Sequence, residues 1–231
     1  MLVSLTIVRY KNPFIPFAFF AMALHRLPLW LNKNCTFWKL MGCGKKGTFD
    51  LKPDFNQWAL LAGWKDEASF NRFLKSSVVK KWWNIFSKEQ YTILCEPISS
   101  HGKWDGQNPF AVTGNNEIKG PVAVLTRATI RFNRLKNFWN NVDRVAQIMN
   151  NANGYITSFG IGEAPFFRQA TFSVWESLED VKAFAYRSAE HAEVIQKTRK
   201  ENWYSEELFA RFKPLATFGT LNNEDPLAGK I

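Results

Sequence analysis

Histidine and cysteine are scarce in this chain, with three of each among 231 residues. Cys35, Cys43 and Cys95 are odd in number and lack metal-ligand spacing, so neither a disulfide framework nor a zinc site is expected, and a reducing cytoplasm is the default compartment. His25, His101 and His191 are too few for a multi-histidine metal centre. A nucleophile elbow, HExxH, a P-loop and a dinucleotide fingerprint are all missing, which removes the chemistries that those arrangements serve. Lys and Arg are scattered apart from Lys45-Lys46 and Lys80-Lys81, and without a basic stripe no nucleic-acid partner is expected.

Aromatic residues and positive charge are plentiful. Ten Trp and 21 Phe suit a cavity for a large flat or hydrocarbon ligand, although they also serve to fill cores. Thirty basic against 20 acidic residues leave a net charge of +10, which suits an anionic partner such as a membrane surface, a cofactor's carboxylates or nucleic acid, and charge alone does not choose among them. The run Phe14 to Leu24 is apolar, but it follows a good strand and is too short to span a bilayer. It reads as a buried helix, with surface anchoring as the alternative.

Hydrophobic periodicity gives the same order of elements twice. The first half reads as strand (Leu2 to Arg9), helix (Pro13 to Leu27), strand (Phe37 to Gly42), strand (Gln57 to Trp64), helices (Glu67 to Phe86) and strand (Tyr91 to Ile98). The second reads as strand (Val122 to Arg131), helix (Leu135 to Asn150), strand (Tyr155 to Ile161), strand (Gln169 to Trp175), helices (Leu178 to Lys200) and strand (Leu215 to Thr220). Trp64 matches Trp175 and Phe73 matches Phe184 at a single offset, so strand end and helix face repeat together. The expected fold is α+β: two ferredoxin-like β-α-β-β-α-β units, residues 1–100 and 121–231, joined by a linker at 101–120 and packed as an α+β barrel within one chain. An insertion from Glu201 to Phe212 precedes the last strand, and Ser205-Glu206-Glu207-Leu208 reads there as a short capped helix.

One histidine is enough for a haem, because the porphyrin supplies four ligands and the protein one axial donor. His191 is the candidate, since helical spacing places it on one face with Phe184 and Ile195. The first half carries Lys80 at that register, expected to face solvent. The alternative is a histidine on a helix surface or satisfied in a core. Cys43, between two glycines, is a candidate thiolate or simply a small buried residue.

Five runs resemble those of the spheroidene monooxygenase family of carotenoid biosynthesis: Phe37 to Gly42, Trp104 to Phe110, Gly120 to Ile130, Ile161 to Pro165 and Trp203 to Phe212. The resemblance spans nearly the whole chain. It implies a haem-dependent enzyme (haem b, with iron) outside the cytochrome P450 fold, which uses O2 and a reduced ferredoxin-like carrier to turn a methylene of an acyclic carotenoid into a ketone. On this reading His191 is the proximal ligand and the metal-binding residue. Arg127 and Arg131, alternating on one strand and expected to point one way, and Arg211 then pair haem propionates or polarise oxygen. Phe172, Trp175 and Trp203 wall the pocket. The alternatives are surface pairing for the arginines and core packing for the aromatics. The expected setting is cytoplasmic, with peripheral contact at the inner membrane surface. Two other readings stay open: a cofactor-free ligand-binding barrel, and haem chemistry of another type such as aldoxime dehydration.

Overall fold

Most strands are buried on both faces, which a sheet achieves when one face closes on itself and helices cover the other. The computed structural model describes residues 1–45, 52–110, 112, 119–164, 166–187 and 196–231, except the side chains of residues 143, 186 and 187. In chain order the elements are β1 (Leu2–Tyr10), α1 (Ile15–Leu24), α2 (Arg26–Leu31), β2 (Cys35–Gly44), β3 (Pro53–Trp64), α3 (Glu67–Ser76), α4 (Val78–Phe86) and β4 (Ser87–Gly102). They continue with β5 (Val122–Ile130), α5 (Leu135–Asn150), β6 (Tyr155–Ala164), β7 (Arg168–Trp175), α6 (Leu178–Lys182) and β8 (Tyr204–Gly219).

The strands form one closed barrel in the order β1-β3-β2-β6-β7-β5-β8-β4, every pair antiparallel, so the α+β barrel expected from the sequence is present. The halves meet along two seams. One is the long β4–β8 ladder, and the other is the brief β2–β6 contact at Gly42↔Gly162 and Cys43↔Ile161. Side-chain caps mark the starts of α3 and α6: the Asp66 carboxylate accepts the Ser69 N–H at 2.8 Å, and the Ser177 hydroxyl accepts the Asp180 N–H at 3.2 Å.

Alternate residues fill the interior of the barrel, among them Leu5, Met41, Leu61, Ile93, Leu125, Phe159, Phe172 and Phe212. The stretch expected to be a linker is partly a plug: Trp104 and Phe110 are buried in this core. Gly102 makes the turn into it, with φ +88°, where a Cβ would lie 2.2 Å from the Glu207 carbonyl oxygen.

Three expectations are corrected. Ser205-Glu206-Glu207-Leu208 is the start of β8, not a helix, because Leu208, Ala210 and Phe212 alternate into the barrel core while Ser205 and Glu207 face out. The N-terminal helix is not buried as a whole. Ala18, Ala21, His25 and Leu29 face the sheet, but Phe20, Leu24, Leu27, Trp30 and Leu31 are exposed. Lys80 does not simply face solvent, since it is half-buried and its Nζ donates to Gln90.

His25 is 2% exposed at the α1–α2 junction, its ring edge-on to Trp82 and Trp83 at 5.7 and 5.9 Å and its Nε2 without a hydrogen-bond partner. Burial pushes its pKa down to about 4. The folded state therefore holds the neutral ring while the unfolded chain binds a proton near its ordinary value, so the stability His25 contributes is intact above about pH 6.5 and is lost as pH falls toward 4. Urea unfolding across that window should show a fall attributable to His25 of about 3 kcal/mol at most, which His25→Leu removes.

Candidate functional site

With the interior filled, space for a large ligand has to be sought on the outside of the sheet, under the helices. The two halves differ sharply there. In the first half the helix-facing positions are Trp38 and Leu40 on β2, Trp58 and Leu60 on β3 and Leu94 on β4, all belonging to or packed against one continuous apolar cluster with α1, α3 and α4. The strand registers place Ser158, Gly160, Gln169, Thr171 and Arg211 at the equivalent positions of the second half.

Five large apolar side chains are thus replaced by four small or polar ones and an arginine. Among the described residues, the apolar packing of this face is accordingly split in two. One group joins Val122, Val124 and Trp175 to α5, α6 and Phe184, and the other joins Ile130 and Trp203 to Phe138 and Val142. Between them Thr126 is exposed in mid-strand, where its first-half counterpart Thr6 is buried. Thr171 Oγ1 and Arg211 Nε are buried and lack hydrogen-bond partners. Orphaned polar atoms at a vacated apolar face are what a polar-edged ligand would satisfy. Arg211 lies over the Phe209 ring at 5.1 Å, a position from which its fork can serve a carboxylate. The helix beside this face passes into a π-type turn at Ala183–Arg187, a wide turn often found at functional sites.

The residues singled out in the sequence separate into distinct places. Trp175 is on the vacated face, buried, its Nε1 donating to Ser173 at 2.9 Å and its ring 5.0 Å from Phe184. Arg211 shares that face. Trp203 is buried in the second apolar group, its Nε1 donating to Glu201 at 2.8 Å. Phe172 points the other way, into the barrel, stacked on Phe212 at 6.0 Å, because its even position on β7 alternates with that of Trp175. Arg127 and Arg131 do not point one way: Arg127 is 1% exposed inside the barrel and Arg131 is exposed just beyond the end of β5. Cys43 is buried in the barrel core and burial pushes its thiol up to about 12, so it is no thiolate. His191 lies outside the described residues. Among the described residues no group of three or more His, Cys, Asp or Glu could hold a metal ion.

A second polar constellation closes one mouth of the barrel, and sequence reasoning found only its arginine. Arg127 pairs with Glu206 and lies 3.7 Å from Glu163, with its guanidinium 5.2 Å over the Trp104 ring. Lys39 pairs with Asp105 and, at 3.0 Å, with Glu163, which also accepts the Trp104 Nε1–H at 2.9 Å. Burial opposes the charge on Glu206, but the N–H groups of Gly106 and Asp105, together with Arg127, outweigh it and hold the carboxyl below its ordinary range. Each of the five runs that carry the family resemblance supplies a member: Lys39, Trp104 with Asp105, Arg127, Glu163 and Glu206. Their common destination was the signal available in the sequence. The opposite mouth opens on a cleft of about 700 Å³ edged by Arg9, Asp54, Glu176, Glu224 and Lys230, charges unsuited to a hydrocarbon.

Comparison with known proteins agrees with this architecture. The chain is 34% identical over 231 residues to the spheroidene monooxygenase of Rhodobacter capsulatus, covering 99% of this chain and 96% of that protein. The chain belongs to the spheroidene monooxygenase family. It is also 35% identical to the spheroidene monooxygenase of Cereibacter sphaeroides over 89% of this chain, and it spans 62% of that longer relative. The Rubrivivax gelatinosus protein of the same name is 37% identical, with 79% of this chain and 70% of that protein covered. A domain of unknown function, DUF3291, matches residues 122–211, the half that carries the vacated face. Among solved structures, an aldoxime dehydratase (OxdRE) in complex with butyraldoxime shares the fold with a TM-score of 0.59 at 11% identity, over 99% of this chain and 84% of that one. A second aldoxime dehydratase aligns with a TM-score of 0.55 at 12% identity, over 92% and 80% of the two chains.

Removing the buried Arg127 would leave the partly buried Glu163 and Glu206 without the cation they share, with Lys39 as the remaining partner of Glu163. Arg127→Met should therefore lower the unfolding free energy by about 3 kcal/mol, and Glu206→Gln, whose one amide oxygen keeps an acceptor for only one of the two backbone N–H groups, by about 2 kcal/mol, both read from urea melts.

Proposed function

We propose that this protein is a haem-dependent monooxygenase that oxidises an acyclic carotenoid, with haem held against the vacated face of the second-half sheet. The observation that carries the proposal is the exchange of Trp38, Leu40, Trp58, Leu60 and Leu94 for Ser158, Gly160, Gln169, Thr171 and Arg211 at equivalent sheet positions. Membership of the spheroidene monooxygenase family supports the reaction class.

The residues of this face fit the group. Arg211 offers an unpartnered Nε to a propionate, and Thr171 offers an unpartnered hydroxyl. Gly160 removes the side chain that would obstruct a flat macrocycle lying on the strands. Trp175, Phe184 and Phe209 on one side, and Phe138, Trp139 and Trp203 on the other, supply the apolar walls that exclude water and admit a polyene. His191 is proposed as the axial donor. Bound there, haem would supply the activation of O2 for insertion into a C–H bond.

The proposed overall conversion is of a methylene at the methoxy-bearing end of the carotenoid to a ketone. Each of two hydroxylations consumes one O2, two electrons and two protons and releases one water, and loss of water from the geminal diol leaves the carbonyl. The electrons come from a reduced ferredoxin-like protein, whose acidic surface complements the net charge of +10.

The absorption spectrum of protein expressed with ample haem supply tests this reading. A Soret band near one haem per chain is expected, lost in His191→Ala. In Thr171→Leu, which restores the first-half side chain, uptake should drop at least tenfold while the fold stays intact, as read by circular dichroism. No Soret band in the wild type would turn the assignment to a cofactor-free binding protein, and full haem retention in His191→Ala would remove that histidine from the ligand role.

A further inference from the structure

We infer that α1 and α2 form an interfacial anchor that lays this protein on an anionic lipid surface, independently of what binds at the second-half sheet. The segment Asn12–Leu31 has a mean hydropathy of 1.5 and is long and apolar enough to cross a membrane, yet only 22% of it is buried. Its polarity is inverted relative to an ordinary surface helix. The face toward the sheet carries small residues, Ala18 and Ala21, with His25 and Leu29. The face toward solvent carries Phe20, Leu24, Leu27 and Leu31, each 55 to 61% exposed and spaced to form one continuous stripe, with Trp30 at 73% beside it. A soluble surface helix has no use for such a stripe, and an apolar patch of this kind marks an interaction site.

The connections decide between spanning and lying flat. Only Lys11 separates β1 from the first helical turn, and residues 32–34 alone separate α2 from β2. Both strands are hydrogen-bonded into the same barrel through β3, parallel to each other. With both ends held to one sheet, the helices can enter a bilayer only edgewise, to the depth of the exposed stripe, as interfacial helices do.

Charge selects lipid over a second protein. Residues 1–49 contain no Asp or Glu, and Lys11, Arg26, Lys33 and Lys45 are exposed around the helices. The basic excess of this segment disfavours a second copy of itself and matches anionic headgroups, with each basic residue near the surface worth about a fivefold gain in binding. His25, neutral because burial lowers its pKa, adds no charge to the layer beneath the stripe.

Co-sedimentation of the full chain with vesicles tests the inference. Folded wild-type protein should sediment with phosphatidylcholine vesicles containing phosphatidylglycerol, weakly with phosphatidylcholine alone, and less as salt rises. The combined Phe20→Ser, Leu24→Ser and Leu27→Ser variant, altered only at exposed positions, should lose at least tenfold in partitioning. Arg26→Glu with Lys33→Glu should lose the preference for phosphatidylglycerol while keeping the weak residual binding. Absence of wild-type sedimentation with either vesicle, or unchanged binding by the triple-serine variant, overturns the inference. So does a wild-type dimer that the triple-serine variant converts to monomer with no vesicle binding, because the stripe would then be an interface between copies.

Discussion

Closure of the eight-stranded barrel governs everything else in this molecule. A barrel of this size has an interior just wide enough for its own side chains, and here it is filled by Leu, Ile, Met and Phe and stoppered by Trp104 and Phe110. A ligand with the dimensions of a porphyrin or a polyene therefore has no place inside. It has to be accommodated between sheet and helices, and only a face that gives up its apolar side chains can do so. The first half keeps them and binds its helices tightly; the second has exchanged five. The asymmetry between the halves is thus one of side-chain volume on one face of one half-barrel, not a change of fold.

The two polar features serve different needs. The Arg127, Lys39, Glu163, Glu206 and Asp105 group sits where strand ends converge and where the chain turns inward through Gly102. Its opposite charges balance one another, and Glu206 accepts from the backbone N–H groups of Asp105 and Gly106 in the plug. Arg211 differs in having no carboxylate paired with it among the described residues: its Nε is buried without a hydrogen-bond partner, while Arg127, whose Nε and Nη2 also lack hydrogen-bond partners, has Glu206 and Glu163 to balance its charge. A buried donor without a partner costs free energy unless something else supplies the acceptor.

Much of the fold was legible in the sequence because hydrophobic periodicity is a local signal. The repeat of Trp64 as Trp175 and of Phe73 as Phe184 carried the strand and helix order. β8 was misread where Ser205-Glu206-Glu207 imitates a helix start, although Leu208, Ala210 and Phe212 carry the alternation that won. The outward stripe of α1 and α2 was misread as buried because hydrophobicity alone does not say which face meets the sheet. Arg127 and Phe172 were assigned to a pocket without regard to parity: one residue of shift along a strand moves a side chain through the sheet. The vacated face was recoverable from sequence by comparing strand positions pairwise between halves, but only once the registers were known.

Thiol labelling at Thr126 most directly tests whether the second-half face holds the ligand. The three native cysteines are buried, so in Thr126→Cys a single site should react with maleimide. The account predicts rapid labelling of haem-free protein and strong protection once haem is bound. Equal labelling rates with haem bound and absent would contradict it, placing the cofactor elsewhere on the barrel.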